Sequence, residues 1–266
     1  MTIGADGLNG APQPGRSIAQ IATSSGRELL RNGFSAGVMF FMFLSLIVIL
    51  GMLDLLLQNS MAGGESLLRQ NLGVIPAMGF ISLAFVGTSV PLVTYRERGT
   101  LRLLGTTPLS KRSFLIGQLP VRAAIATAES VVVLALMRVT GTHSPPTLAV
   151  AAVTLLFGAA MFLAIGVLVG SRGRNADLVM QISLIAPIVV IATSGVLFPL
   201  GALPEWLSAG TAVLPTTWFI AAIDSAATMP FTTLLASWIG LLAVAIAALC
   251  IAVRIFDWGA ENDPDS

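Results

Sequence analysis

Little in this chain of 266 residues is equipped for covalent chemistry. Its one histidine, His143, lies just before Pro145 and Pro146, in a short stretch between two apolar runs. A histidine-based metal cluster is therefore excluded, and no imidazole at membrane depth exists to activate Ser194 in the fragment Thr193-Ser194-Gly195. The one cysteine, Cys250, rules out an intrachain disulfide and a cysteine-based metal site. Lys111 is the one lysine and no Gly-x4-Gly-Lys-Ser/Thr run is present, so the chain has no phosphate loop for ATP. No cofactor, no metal and no enzymatic activity are expected of this chain itself.

Two charged residues stand inside an apolar run, and they are the candidates for intramembrane polar work. Placing Asp, Lys or Arg at the centre of a membrane helix costs about 2.5–3.5 kcal/mol. Glu129 is thus expected to face other helices or a cavity. Arg122 lies seven residues earlier on the same face, about 10 Å away along the axis. A polar lock between helices and a contact with cargo are both open readings for the pair. Asp54, Arg138 and Asp224 fall near run ends, within reach of water, and read as ordinary.

The elements that must position these residues follow from composition. The chain is 55% hydrophobic and 10% charged, with a mean hydropathy of +0.89. Soluble domains carry about a quarter charged residues, so much of this surface faces another solvent, and long apolar runs identify it as lipid. The net charge of +1 argues neither for nor against an anionic partner, and no nucleic-acid partner is expected. The predicted fold is all-α: a polytopic membrane protein with six transmembrane helices, at about 35–57, 72–94, 113–137, 147–170, 178–198 and 232–254. Residues 1–16, rich in Gly, Pro, Asn and Asp, read as a disordered cytoplasmic tail. Residues 17–257 form the six-span transmembrane domain, and 258–266 a second cytoplasmic tail. Within 17–32, Ile18, Ile21, Ala22, Leu29 and Leu30 recur at helical spacing, which suggests an amphipathic interfacial helix; an ordinary polar tail is the plain alternative.

Basic residues orient the spans. Eleven of them (Arg16, Arg27, Arg31, Arg96, Arg98, Arg102, Lys111, Arg112, Arg172, Arg174 and Arg254) fall on one side, against Arg69 and Arg138 on the other. Lys and Arg are retained in the cytoplasm, so both termini are expected inside, in a multi-pass protein of the plasma membrane. The longest inner loop, residues 95–110, has a helix-compatible segment with leucines at Leu101 and Leu104 and a stop at Pro108. A solvated loop that obeys the charge rule is the plain reading, but an apolar stripe with nothing in its own loop to cover it needs a docking surface, and a cytoplasmic partner is one way to supply it. On the outer side, residues 199–231 contain Pro199, Pro204, Pro215 and Pro230, and their apolar pieces are too short to span. Short pieces dipping into the outer leaflet, with Trp206 and Trp218 at the interface, would satisfy both facts. A plain loop with interfacial anchors is the alternative. The Gly166-x-x-x-Gly170 pair could let two helices approach closely.

Two stretches resemble one family. The run YRERGTLRLLGTTPLSKRSFLIGQL, residues 95–119, is similar to the segment after the second span in permease subunits of type-2 ABC exporters of the daunorubicin-resistance and nodulation-export kind. The run TSGVLFPLGALPEWLSAGTAVLPTTWFIAAI, residues 193–223, resembles the same family's Ser-Gly-x-x-Phe-Pro, Leu-Pro-x-Trp and Leu-Pro segments, in that order. Tyr95 and Arg102 stand where acidic residues are common in that pattern.

The resemblance implies a half-transporter that pairs with a second permease, itself or a related chain, and with cytoplasmic ABC ATPase subunits that bind ATP and Mg. Residues 95–110 would include the coupling helix. Glu97 and Arg98 would supply polar contacts with the ATPase, Gly99 a bend or a close approach, and Leu101 and Leu104 the apolar docking face, with Arg96, Thr100 and the stop at Pro108 in the same coupling segment. The segment between spans five and six would form a short re-entrant hairpin. Hydrophobic or amphipathic cargo, such as a drug, antibiotic or lipid, suits a path poor in fixed charge. A polysaccharide-exporting permease and a non-transport membrane scaffold or immunity-type protein are the rival readings.

Overall fold

The computed structural model of the chain describes residues 33–58, 66–106, 110–141, 144–194 and 205–256, and every regular element among them is helical. In chain order these are α1 (Gly33–Gln58), α2 (Leu67–Gln70), α3 (Val74–Ala84), a π-helical turn (Phe85–Ser89), α4 (Val90–Glu97), α5 (Thr100–Gly105), α6 (Lys111–Val139), α7 (Pro145–Arg172), α8 (Ala176–Thr193), α9 (Glu205–Ala212), α10 (Pro215–Asp224) and α11 (Phe231–Ile255). Among the described residues, five continuous stretches are long and apolar enough to cross a bilayer: Val74–Glu97, Ser113–Val139, Pro145–Arg172, Ala176–Thr193 and Phe231–Ile255. The chain is thus a multi-pass α-helical membrane protein. Helix α1, at 26 residues, is of comparable length. The expected amphipathic helix at 17–32, and Pro108, Pro199 and Pro204, lie outside the described residues.

The stretch from α3 through α4 is the hub. Nearly every residue from Leu72 to Ser89 is buried, whereas α6, α8 and α11 bury one stripe and expose the rest. Helix α1 shows the same logic: Phe43, Leu46, Leu50 and Asp54 face inward at helical spacing, and Phe41, Val48, Met52 and Leu55 face out. In lipid an outward leucine costs nothing, so helix association rests on close packing and internal hydrogen bonds. Helix α7 supplies the packing. It lies along α11 and against α3 and the π turn. A side chain at Gly166 would collide with the backbone of Ala84, so the close approach the Gly166–Gly170 pair suggested is present. Phe80, Phe162 and Phe219 form the centre of the main core, with ring centroids 5.7–6.1 Å apart. A second, smaller core, at the end of the bundle that the charge pattern predicts to be inner, joins Leu92, Leu101, Phe114, Leu115, Val167, Ala252 and Phe256.

Helix ends fall where capping chemistry stops them. Ser110 opens α6 by accepting from Ser113 N at 3.1 Å, and Asn175 opens α8 by accepting from Asp177 N and Leu178 N. Helix α8 runs to Thr193, where the hydroxyls of Thr193 and Ser194 turn back to carbonyls of the last turn, and residues 195–198 of the expected span lie outside the described residues. Two acids expected to be ordinary are structural. Asp54 is buried and accepts from Ser66 Oγ and from Leu68 N, and Asp224 Oδ1 accepts from Gly73 N at 2.6 Å. Both satisfy amide donors where the chain turns into the hub.

Candidate functional site

The inner segment begins at the end of α4. Arg98 closes the helix, and Gly99 follows with φ +70°, the left-handed region that only glycine enters without steric cost. A Cβ there would meet open space, so Gly99 serves the bend and not a close approach. Its carbonyl accepts from Arg102 N and Leu103 N, which starts α5 in a new direction with Thr100 as its first residue.

Side chains on α5 divide sharply. Leu101 is fully buried in the inner core, and Leu104 is half-buried against it. Leu103 is 72% exposed, and Arg98 and Arg102 are exposed beside it. The apolar stripe expected to seek a partner at Leu101 and Leu104 is therefore covered by the chain's own α6, α7 and α11. The residue left uncovered is Leu103. The cover comes from Phe114 and Leu115 of α6 and from Phe256, just past the end of α11.

Arg96, half-buried, and Glu97, at the surface, are both bonded to backbone of other helices. Arg96 donates from Nη2 to Ser171 O at 2.7 Å and from Nη1 to the carbonyls of Gly170 and Gly173. Its guanidinium lies 5.9 Å from the ring centroid of Phe256. Glu97 Oε1 accepts from Ala176 N at 2.7 Å. Lys111 Nζ donates to Phe256 O at 2.9 Å. The base of the short helix is thus tied to α7, α8 and the end of α11.

At membrane depth, Arg122 and Glu129 do different things. Arg122 is buried; Nε donates to Gly87 O at 2.7 Å and Nη1 to Gln118 O at 2.6 Å. Gly87 sits in the π turn, where the hydroxyls of Thr88 and Ser89 reach carbonyls five residues back. Ser89 Oγ also donates to Gly166 O at 2.7 Å, which pins the turn to α7. Arg122 therefore serves as the lock between helices, with a backbone carbonyl as its keeper. Glu129 is fully buried, neither carboxyl oxygen has a hydrogen-bond partner among the described residues, and the group presses on Gly79 of α3.

In the outer segment, α9 and α10 meet at Val213-Leu214. Pro215 takes the first position of α10, where its missing N–H costs nothing. Thr217 Oγ1 donates to Thr211 O, and Trp218 Nε1 to Ala212 O, both at 2.7 Å. These two bonds fill carbonyls that the end of α9 would otherwise leave open. Trp218 is half-buried and packs on Gly240 of α11. Trp206 lies within α9.

A family described as ABC-2 type transporter matches residues 19–228, which takes in both the inner segment and the outer helices. No curated protein matches the chain. With most of its length inside the family match and its helices built to cross a bilayer, the chain belongs to the ABC-2 type transporter family and is a permease component of an ABC transporter.

Proposed function

We propose that this chain is the membrane subunit of an ATP-driven exporter and that α5 is the lever on which a separate cytoplasmic ATPase acts. The family implies an ATPase partner. The observation that carries the lever assignment is the split on α5: Leu101 is anchored in the inner core, while Arg102 and Leu103 on the same six-residue helix, and Arg98 just before it, stand exposed. A helix fixed on one side, with an exposed leucine among arginines on the other, suits a cleft that grips it and pushes. ATP and Mg bind in the partner, whose closure does work only if it contacts α5 differently in its two states.

The remaining parts follow from that reading. Helix α1 is the first of six spans, both termini are cytoplasmic, and the complex resides in the plasma membrane. A second permease, identical or related, completes the pathway, and α9 with α10 forms the re-entrant cap of its outer end. Cargo is hydrophobic or amphipathic, such as a drug, antibiotic or lipid.

The test is co-purification with an ABC ATPase subunit. Leu103→Glu is expected to abolish association while leaving the permease folded, because Leu103 packs on nothing within the chain's cores. Association undisturbed by Leu103→Glu together with Arg102→Glu removes the lever from α5. A wild-type chain that associates with no ATPase favours the scaffold reading.

A further inference from the structure

Adjacent residues Arg96 and Glu97 carry opposite charges, and each meets a helix end of the opposite polarity. Arg96 faces the end of α7, where Gly170 O, Ser171 O and Gly173 O lie beyond the last intrahelical donors. Those final carbonyls are unpaired within any helix and carry its partial negative charge. Glu97 faces the start of α8. There Asn175 already takes the amides of Asp177 and Leu178, and Ala176 N, the remaining first-turn donor, goes to Glu97 at 2.7 Å. The α7–α8 turn is only Gly173, Arg174 and Asn175 long, so one dipeptide grips both sides of it. The guanidinium also rests near Phe256 at the end of α11.

From this geometry we infer that Arg96 and Glu97 form a two-pronged clamp that carries displacement of α5 into the inner ends of α7 and α8, and that they are positioning residues of the permease and not contacts to the ATPase. The inference rests on the lever reading above and adds the route the force takes. Covalent continuity alone would pass movement of α5 to α4 and, through residues 106–110, to α6. Neither α7 nor α8 is joined to α5 in sequence, and the clamp supplies charge-assisted, directional bonds to both. It also separates two roles within a few residues: half-buried Arg96 and surface-exposed Glu97 are bonded to backbone of the permease itself, while Leu103, with Arg98 and Arg102 beside it, is left to a partner.

The test uses the intact permease–ATPase complex in lipid nanodiscs, by hydrogen exchange with and without ATP and vanadate. In the wild type, ATP–vanadate is expected to change protection at residues 174–182. Glu97→Ala should retain the bound ATPase and its basal hydrolysis, while the nucleotide-induced change at 174–182 falls at least threefold. Glu97→Gln keeps an oxygen that accepts from Ala176 N and should preserve most of the response, which a salt bridge to the ATPase would not survive. Arg96→Ala should act like Glu97→Ala, and Arg98→Ala should not. A full response in Glu97→Ala and Arg96→Ala, or loss of the ATPase from both, overturns the clamp while leaving the lever reading intact. A wild-type complex with no nucleotide response at 174–182 also overturns the clamp, and a wild-type chain that binds no ATPase overturns both.

Discussion

Arg122 donates to the carbonyl of Gly87, the residue four positions before Pro91. Gly87 lies in the π-helical turn Phe85–Ser89, where the amide of Val90 already reaches five residues back to Phe85 O. Pro91 has no amide hydrogen to offer the carbonyls of this turn in either register, and the guanidinium from the next span donates to one of them. A charge that is costly in lipid and a carbonyl that is costly to leave bare satisfy each other.

Arg122→Ala is expected to destabilise the protein by about 1–3 kcal/mol, the cost of a buried group left unsatisfied. Pro91→Ala returns an amide to the same region, so the double variant should lose less than the sum of the two single variants. Thermal unfolding of the four proteins in one detergent completes the cycle. Strict additivity would mean that Arg122 and Pro91 do not serve the same carbonyl.

Gly166→Ala drives a methyl group into the Ala84 backbone, and should cost about 1–3 kcal/mol through overpacking. Gly51→Ala is the matched control: it sits within α1 with open space at its Cβ, and should be neutral or mildly stabilising through helix propensity. Melting temperatures that fall equally for both variants would contradict the tight α7–hub contact.

Glu129 is buried, and among the described residues neither of its carboxyl oxygens has a partner. Replacement by Leu removes an unsatisfied polar group while keeping most of the volume, so the melting temperature should hold or rise. Glu129→Ala should fall below Glu129→Leu because it opens a void. A sharp drop for Glu129→Leu would reveal a polar interaction that holds the carboxyl in place.

On the lever, Leu101 and Leu103 should separate cleanly. Leu101→Ala empties a fully buried site in the inner core, with an expected loss of about 2–5 kcal/mol in stability. Leu103→Ala, at an exposed site, should keep stability within about 0.5 kcal/mol of wild type and weaken ATPase binding instead. Equal effects of both on stability would place Leu103 inside the core.

Much of this architecture is legible in the sequence. Apolar run length and the breaks between runs locate the long helices to within a few residues, because lipid demands about 20 apolar positions in a row. The Gly166–Gly170 spacing likewise marks a close approach. Other features are hidden because they depend on which elements become neighbours. The stripe at Leu101 and Leu104 reads as needing a partner, but its cover comes from Phe114 and Phe256, and no local pattern announces that contact. Arg96 and Glu97 resemble solvated loop charges in sequence; the fold ends α7 and begins α8 beside them. Asp54 and Asp224 resemble water-facing span ends for the same reason. Pro91 is a further signal within the sequence itself. A proline inside an apolar run deprives a carbonyl of the preceding turn of its helical donor, and a buried arginine in the next run is a natural replacement.

The most direct measurement is cysteine chemistry at position 103. With Cys250 replaced by Ala, Leu103→Cys in the complex should cross-link to the ATPase subunit, and in intact cells it should resist a membrane-impermeant maleimide added outside. Labelling of that cysteine from the outside, with no cross-link to the ATPase, would contradict an inward-facing lever and the coupling built on it.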